Sequence, residues 1–179
     1  LTAECNMDKN DITLPTNNGT FNYRVAAIIL NDENNILMAN NVGNPHYYTI
    51  GGRVHFGESI QNAVMREVFE ETNLSLKIKQ LAYIHENFFS WGADKTPCHE
   101  IAFFFLMERV VAKQNFDDVS EHYGKLTLHW LPIAKLKDIH IFPEFFKKEL
   151  FQLLNNPEMS VRHFVTTETE NGEITKRVM

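Results

Sequence analysis

Between Gly52 and Leu74 the chain reads GRVHFGESIQNAVMREVFEETNL, a glycine turn leading into a stretch of helical periodicity that carries clustered glutamates. At about 100° per residue, Ile60, Ala63, Val64 and Val68 make one apolar stripe, and Glu67 and Glu71 fall inside it, roughly 40° apart. A helix here therefore turns two carboxylates toward the protein rather than toward solvent. Glu70 and Arg66 lie further round on the flank, where Arg66 reaches Glu70 by the i,i+4 relation. Ionised carboxylates buried together lose hydration and repel one another, so a cation must compensate them or one must hold a proton. With no nearby His or Cys at ligand spacing, the donor set suits Mg²⁺, or Mn²⁺, better than zinc.

The helix boundaries are legible too. Ser59 is a good N-cap, and Glu58 places a negative charge near the positive end of the helix dipole. Asn73, followed by apolar Leu74, fits a left-handed position at the other end. Adjacent Gly51 and Gly52 let backbone approach a ligand closely, which a simple strand-to-helix turn would not require of two neighbouring residues.

This run resembles the Nudix box of the Nudix hydrolase family. Gly52 opens the box, Glu58 follows, and Arg66-Glu67, aliphatic Val68, the acidic pair Glu70-Glu71 and Leu74 occupy the pattern in order. Asn73 stands where the family usually has glycine, and Ile50 where many relatives carry proline. Asparagine also tolerates positive φ, so the helix end should survive. The resemblance extends over roughly Phe21 to Leu154 and implies an α/β fold, a Nudix-type α/β/α sandwich with a mixed central sheet.

Along the chain, Tyr23 to Leu30 reads as a buried strand, followed by a loop at 31–35 and a strand from Ile36 to Ala39. Tyr47 to Ile50 is a short strand feeding the box. Ser75 to Phe89 and Glu100 to Val110 read as long strands separated by a polar loop from Ser90 to His99. Leu126 to Leu131 is a further strand, Ile133 to Leu136 one helical turn, and Pro143 opens a helix that buries Phe146, Leu150, Leu153 and Leu154. Val161 to Val178, with Asn171-Gly172, is either a hairpin or a loose tail. The expected division is an N-terminal extension at 1–20, a catalytic domain at 21–155 and a C-terminal tail or hairpin at 156–179. Residues 1–6, ahead of Met7, read as a cloning remnant.

Composition narrows the function. A chain of 179 residues with 44% apolar content supports one domain with a proper core. The net charge of -6 argues against binding polymeric nucleic acid, which needs basic groups against many phosphates. Cys5 and Cys98 are too few for a disulfide framework, and no stretch suits a signal or membrane segment, so a cytoplasmic location is expected, with no membrane partner. An added C-terminal hairpin would allow a homodimer.

The resemblance implies Mg²⁺-dependent hydrolysis of a phosphoanhydride in a nucleoside diphosphate linked to another moiety. Glu67 and Glu71 are then the main metal ligands, with Glu70 sharing a second ion or the water and the Gly51 carbonyl often added. Arg66 orients Glu70, and Glu58 supports the loop. Candidate general bases outside the box are Glu100, Asp117, Asp118 and Glu121, with Glu121 favoured among them. Arg24 interrupts an apolar strand and needs an anion, either a substrate phosphate or an internal carboxylate. Gly51 and Gly52 complete the expected substrate contacts. Phe88, Phe89 and Trp91 read as core or loop anchors with base stacking as the alternative, and His46, His55, His85 and His99 read as ordinary polar or loop residues. Downstream of the box, the proline common in ADP-ribose hydrolases and the tyrosine common in dinucleoside polyphosphate hydrolases are missing, so NTPs, NDP-sugars and ADP-ribose all stay open. The alternative reading is a non-catalytic nucleotide sensor on the same fold.

Overall fold

The computed structural model describes residues 10–41, 43–111, 126–169 and 174–179. The element order is β1 (Thr13–Thr16), β2 (Gly19–Ile28), β3 (Asn35–Asn41), β4 (Tyr47–Thr49), α1 (Ile60–Thr72), β5 (Ile78–Trp91), β6 (Thr96–Met107) and β7 (Leu126–Pro132). A 3₁₀ turn (Ile133–Asp138), β8 (Ile141–Phe142), α2 (Phe146–Asn155), β9 (Arg162–Glu168) and β10 (Ile174–Val178) complete it.

β2 shows why the chain layers as it does. Its run YRVAAI carries apolar side chains on both faces, as a strand covered from both sides must. Ala26 and Ile28 join one apolar cluster with Tyr83, Phe104 and, from α2, Phe146, Leu150 and Leu153. Val25 and Ala27 join the other, with Ala63, Val64 and Val68 of α1. The two helices thus cover opposite faces, giving the expected α/β/α layering.

The strands divide between two sheets, ordered β1-β2-β6-β5-β9-β10 and β7-β3-β4-β8. Both are mixed. β2 runs parallel to β6 and β5 parallel to β9, while β5 and β6 form a long antiparallel hairpin. β2 and the residues just after it reach the second sheet through isolated bridges, Ala27 to Ile50 and Leu30 to Ile36.

Several boundaries differ from the sequence expectation. The loop placed at Ser90–His99 is largely strand: β5 and β6 pair out to Trp91 and Thr96, leaving only a tight turn at 92–95. Polar residues on an exposed hairpin arm carry no apolar alternation, which is why periodicity missed them. α2 starts at Phe146, with 143–145 as a lead-in turn rather than the helix itself. The 161–178 segment is a hairpin, since β9 adds parallel to β5 and β10 pairs antiparallel with β9. Its Asn171-Gly172 turn lies outside the described residues. Strand β1, within the supposed extension, and β8 were not read from the sequence; both are short, and β1 is mostly exposed.

No helix among the described residues is long and apolar enough to cross a membrane.

Candidate active site

The site is built where the 51–58 turn meets α1. Ser59 caps the helix, its side chain accepting a hydrogen bond from the Asn62 N–H at 3.2 Å, and Asn73 ends it at φ 58°, ψ 19°, with its N–H donating to the Phe69 carbonyl at 2.8 Å. A short polar side chain makes that left-handed position accessible without glycine.

Arg66 is the hub. Its Nε and Nη2 each donate to Glu58 at 3.0 Å, and its Nη1 donates to Glu67 Oε1 at 2.8 Å and Glu70 Oε2 at 3.1 Å. Nη2 also donates to the Arg53 carbonyl at 3.0 Å, tying the turn to the helix. The sequence placed Arg66 against Glu70 alone; the structure gives it three carboxylates. Glu58 also accepts the His55 N–H at 3.2 Å. Burial pushes the Glu58 carboxyl up, but the Arg66 hydrogen bonds, the His55 N–H and the Arg66 charge outweigh it, leaving Glu58 below the usual range.

Glu67 is buried and Glu71 half-buried, whereas Glu70 is exposed. The helical spacing therefore reported the two inward carboxylates and the flanking one as they lie. Glu71 Oε2 accepts the Gly51 N–H at 3.1 Å. Burial first, then the Glu67 charge, raises Glu71 to about 8 against the smaller opposing effects of the Gly51 N–H and Arg24. Burial likewise raises Glu67, partly offset by Arg66.

The two glycines have separate reasons. Gly51 sits at φ +142°, and a Cβ there would run into the Val25 carbonyl and lie 2.7 Å from Ala26 Cα. A Cβ on Gly52 would fall 2.5 Å from the Glu67 carboxyl carbon, so it is the missing side chain that lets the carboxylate pack against the turn.

Arg24 contacts an internal carboxylate, Glu100, at 3.5 Å, and its Nη2 donates to the Gly51 carbonyl at the same distance. Glu100 first, then Glu67 and Glu71, raise its already high pKa against the cost of burial. Glu100 lies on β6 in the sheet, with its side chain 13% exposed. Glu121, Asp117 and Asp118 lie outside the described residues. Phe88 stacks on His99 with centroids 4.3 Å apart, and Trp91 is half-exposed near the hairpin tip.

Arg53 and Asp11, which the sequence did not single out, brace the turn together with His55, read there as an ordinary polar or loop residue: Asp11 approaches Arg53 at 3.8 Å and His55 at 3.4 Å. Such loop contacts carry no periodic signal. His85, read as an ordinary loop or polar residue, is buried on β5.

Among the described residues, no three His, Cys, Asp or Glu side chains converge as a finished metal cage. The donors nonetheless fit a hard divalent cation: two inward carboxylates one helical turn apart, one accepting the Gly51 N–H and the other packed against Gly52 where a side chain would collide with it. Glu67, Glu71 and the Gly51 carbonyl would hold it, with Glu70 at the rim.

Residues 20–154 match the NUDIX domain. Solved structures share the fold. A mutator MutT protein from Bacillus halodurans superposes with TM-score 0.63 at 17% identity, covering 88% of this chain and 97% of that one. A MutT protein from Methanosarcina mazei Go1 gives 0.57 at 21%, covering 81% and 100%. A UDP-X diphosphatase gives 0.53 at 17%, covering 78% and 66%. With the domain match spanning most of the sequence and the box residues gathered around one helix, the chain belongs to the Nudix hydrolase family.

Proposed function

We propose that this protein hydrolyses a phosphoanhydride bond in a nucleoside diphosphate derivative, with Mg²⁺ or Mn²⁺ as cofactor. The observation that carries the reading is the Glu67–Glu71 pair, turned inward beneath Gly51-Gly52 and held by Arg66 and the Gly51 N–H. A bound divalent ion supplies charge neutralisation for the pyrophosphate oxygens and lowers the pKa of an attacking water.

The chain's own residues do the positioning. Arg66 fixes the rotamers of Glu67 and Glu70 through charge-assisted hydrogen bonds, which limits how far either carboxylate wanders from a productive geometry. Arg24, poised between the Gly51 carbonyl and Glu100, brings fixed positive charge to the strand beside the turn. Glu70, the most exposed of the three, would take the proton from water in this reading.

The test is a broad nucleotide panel with Mg²⁺, read by phosphate release and mass spectrometry of products. At least one member should release a nucleoside monophosphate or pyrophosphate, and Glu71→Gln should lower that turnover by orders of magnitude. Equal turnover in wild type and Glu71→Gln would remove the site assignment.

A further inference from the structure

One polar row crosses the six-stranded sheet on its α2 face. Asn22 of β2, Glu100 of β6, Asn87 of β5, Thr166 of β9 and Lys176 of β10 are successive partners in register. Paired residues of adjacent strands share a face. The neighbouring row holds Arg24, Ala102, His85 and Phe164, so the polar row begins where cover by α2 ends, with the Phe145 ring 5.1 Å from His85. Two of its members, Thr166 and Lys176, lie beyond the segment 20–154 that matches the family domain.

The hydrogen bonds along this row have a direction. The Thr166 hydroxyl donates to Asn87 Oδ1. A hydroxyl has a single proton, so its 2.8 Å contact with His85 Nε2 must be accepted from an Nε2–H. Burial, with Lys176 and His163 adding to it, holds the His85 pKa down at about 4, keeping the ring neutral near pH 7. Asn87 therefore has its carbonyl occupied and its amide Nδ2–H₂ left to donate. Reading from the catalytic turn outward, the face presents Arg24 as donor, Glu100 as acceptor and Asn87 as donor.

Resting on the hydrolase reading above, we infer that Asn87, positioned by Thr166 of the C-terminal hairpin and by His85, is a specificity-determining residue that selects a base with an imide edge. An acceptor–donor–acceptor edge, C=O, N–H, C=O, complements Arg24, Glu100 and Asn87 in that order; uracil and thymine carry it. Cytosine, with an amino group at position 4 and an unprotonated ring nitrogen, sets donor against donor at one end and leaves Glu100 facing a lone pair. Rows two residues apart along a strand are separated by roughly 7 Å, so a base over Glu100 and Asn87 lies within a diphosphate's reach of Gly51. Thr166 is a positioning residue: it touches Asn87, not the base.

The experiment compares uridine and cytidine diphosphates by equilibrium binding to the full chain with Mg²⁺, and their derivatives by kcat/KM. Wild type should favour uridine by about tenfold or more, the discrimination expected where a buried donor or acceptor is mispaired. Thr166→Val, which removes the hydroxyl and frees Asn87 to flip, should cut that ratio several-fold, and Thr166→Ser should restore it. Asn87→Asp, which replaces the donor with an acceptor, should bring the ratio close to one, because uracil then meets one mispaired group at position 87 and cytosine keeps one at Glu100. A ratio near one in wild type, or a ratio unchanged in Thr166→Val and Asn87→Asp, overturns the inference. Turnover without base preference sinks this inference and spares the hydrolase reading; uridine-selective binding without turnover of any nucleotide does the reverse.

Discussion

Gly51 and Gly52 are adjacent, yet replacing each by alanine should fail in a different way. At Gly52 the new Cβ meets only the end of the Glu67 side chain, 2.5 Å from its carboxyl carbon, and the backbone can stay where it is. Glu67 must swing aside, at about 0.5–1.5 kcal/mol for an unfavourable rotamer. It also gives up the 2.8 Å bond from Arg66, a charged hydrogen bond of about 1.5–3 kcal/mol. The sum, about 3 kcal/mol, corresponds to a fall in Tm of roughly 6–12 °C for a chain of this size. At Gly51 the obstacle is the Val25 carbonyl of central strand β2, and φ is +142°, so no flexible group can yield. Gly51→Ala should be the more destabilising, by more than about 3 kcal/mol. Thermal unfolding separates the two, and the double variant Gly52→Ala/Glu67→Ala should recover part of the lost stability while staying inactive. Wild-type turnover and Mg²⁺ dependence in Gly52→Ala would refute the claim that Glu67 occupies the space beneath that glycine.

Two further outcomes follow from charge. The folded-state pKa of Glu71, about 8, lies above its unfolded value, so without metal the folded protein holds a proton that the unfolded chain has lost between about pH 4.5 and 8. Metal-free stability should therefore fall as pH rises through that window, and Mg²⁺ binding near pH 7 should release a proton, measured by calorimetry in two buffers of different ionisation enthalpy. Identical binding heats in the two buffers would contradict it. Arg162 of β9 pairs with Glu149 of α2, which is 2% exposed. Arg162→Met leaves that carboxylate buried and uncompensated, a loss of about 3–5 kcal/mol in thermal or urea unfolding, and adding Glu149→Gln should return much of it.

Much of the site was legible because a helix maps sequence spacing onto direction. Positions 67 and 71 share a face with Ala63, Val64 and Val68 whatever the rest of the chain does, so their inward aim followed from 3.6-residue periodicity. The cap at Ser59 and the left-handed stop at Asn73 are local in the same sense, set by one side chain and its own backbone. Strand β2 was legible through its unbroken apolar run.

What the spacing could not say is which distant groups meet. Arg66 was matched to the carboxylate one turn away, but Glu58 and the Arg53 carbonyl reach it only because the turn folds back over the helix. Arg24 needed some anion; only the parallel pairing of β2 with β6 made that anion Glu100. The row from Asn22 to Lys176 joins residues more than 150 positions apart, and no local pattern contains it, since each member is one polar residue in its own strand. Helix geometry is short-range and written in the sequence, whereas strand order depends on which apolar faces find each other at closure, and that is settled only in the packed chain.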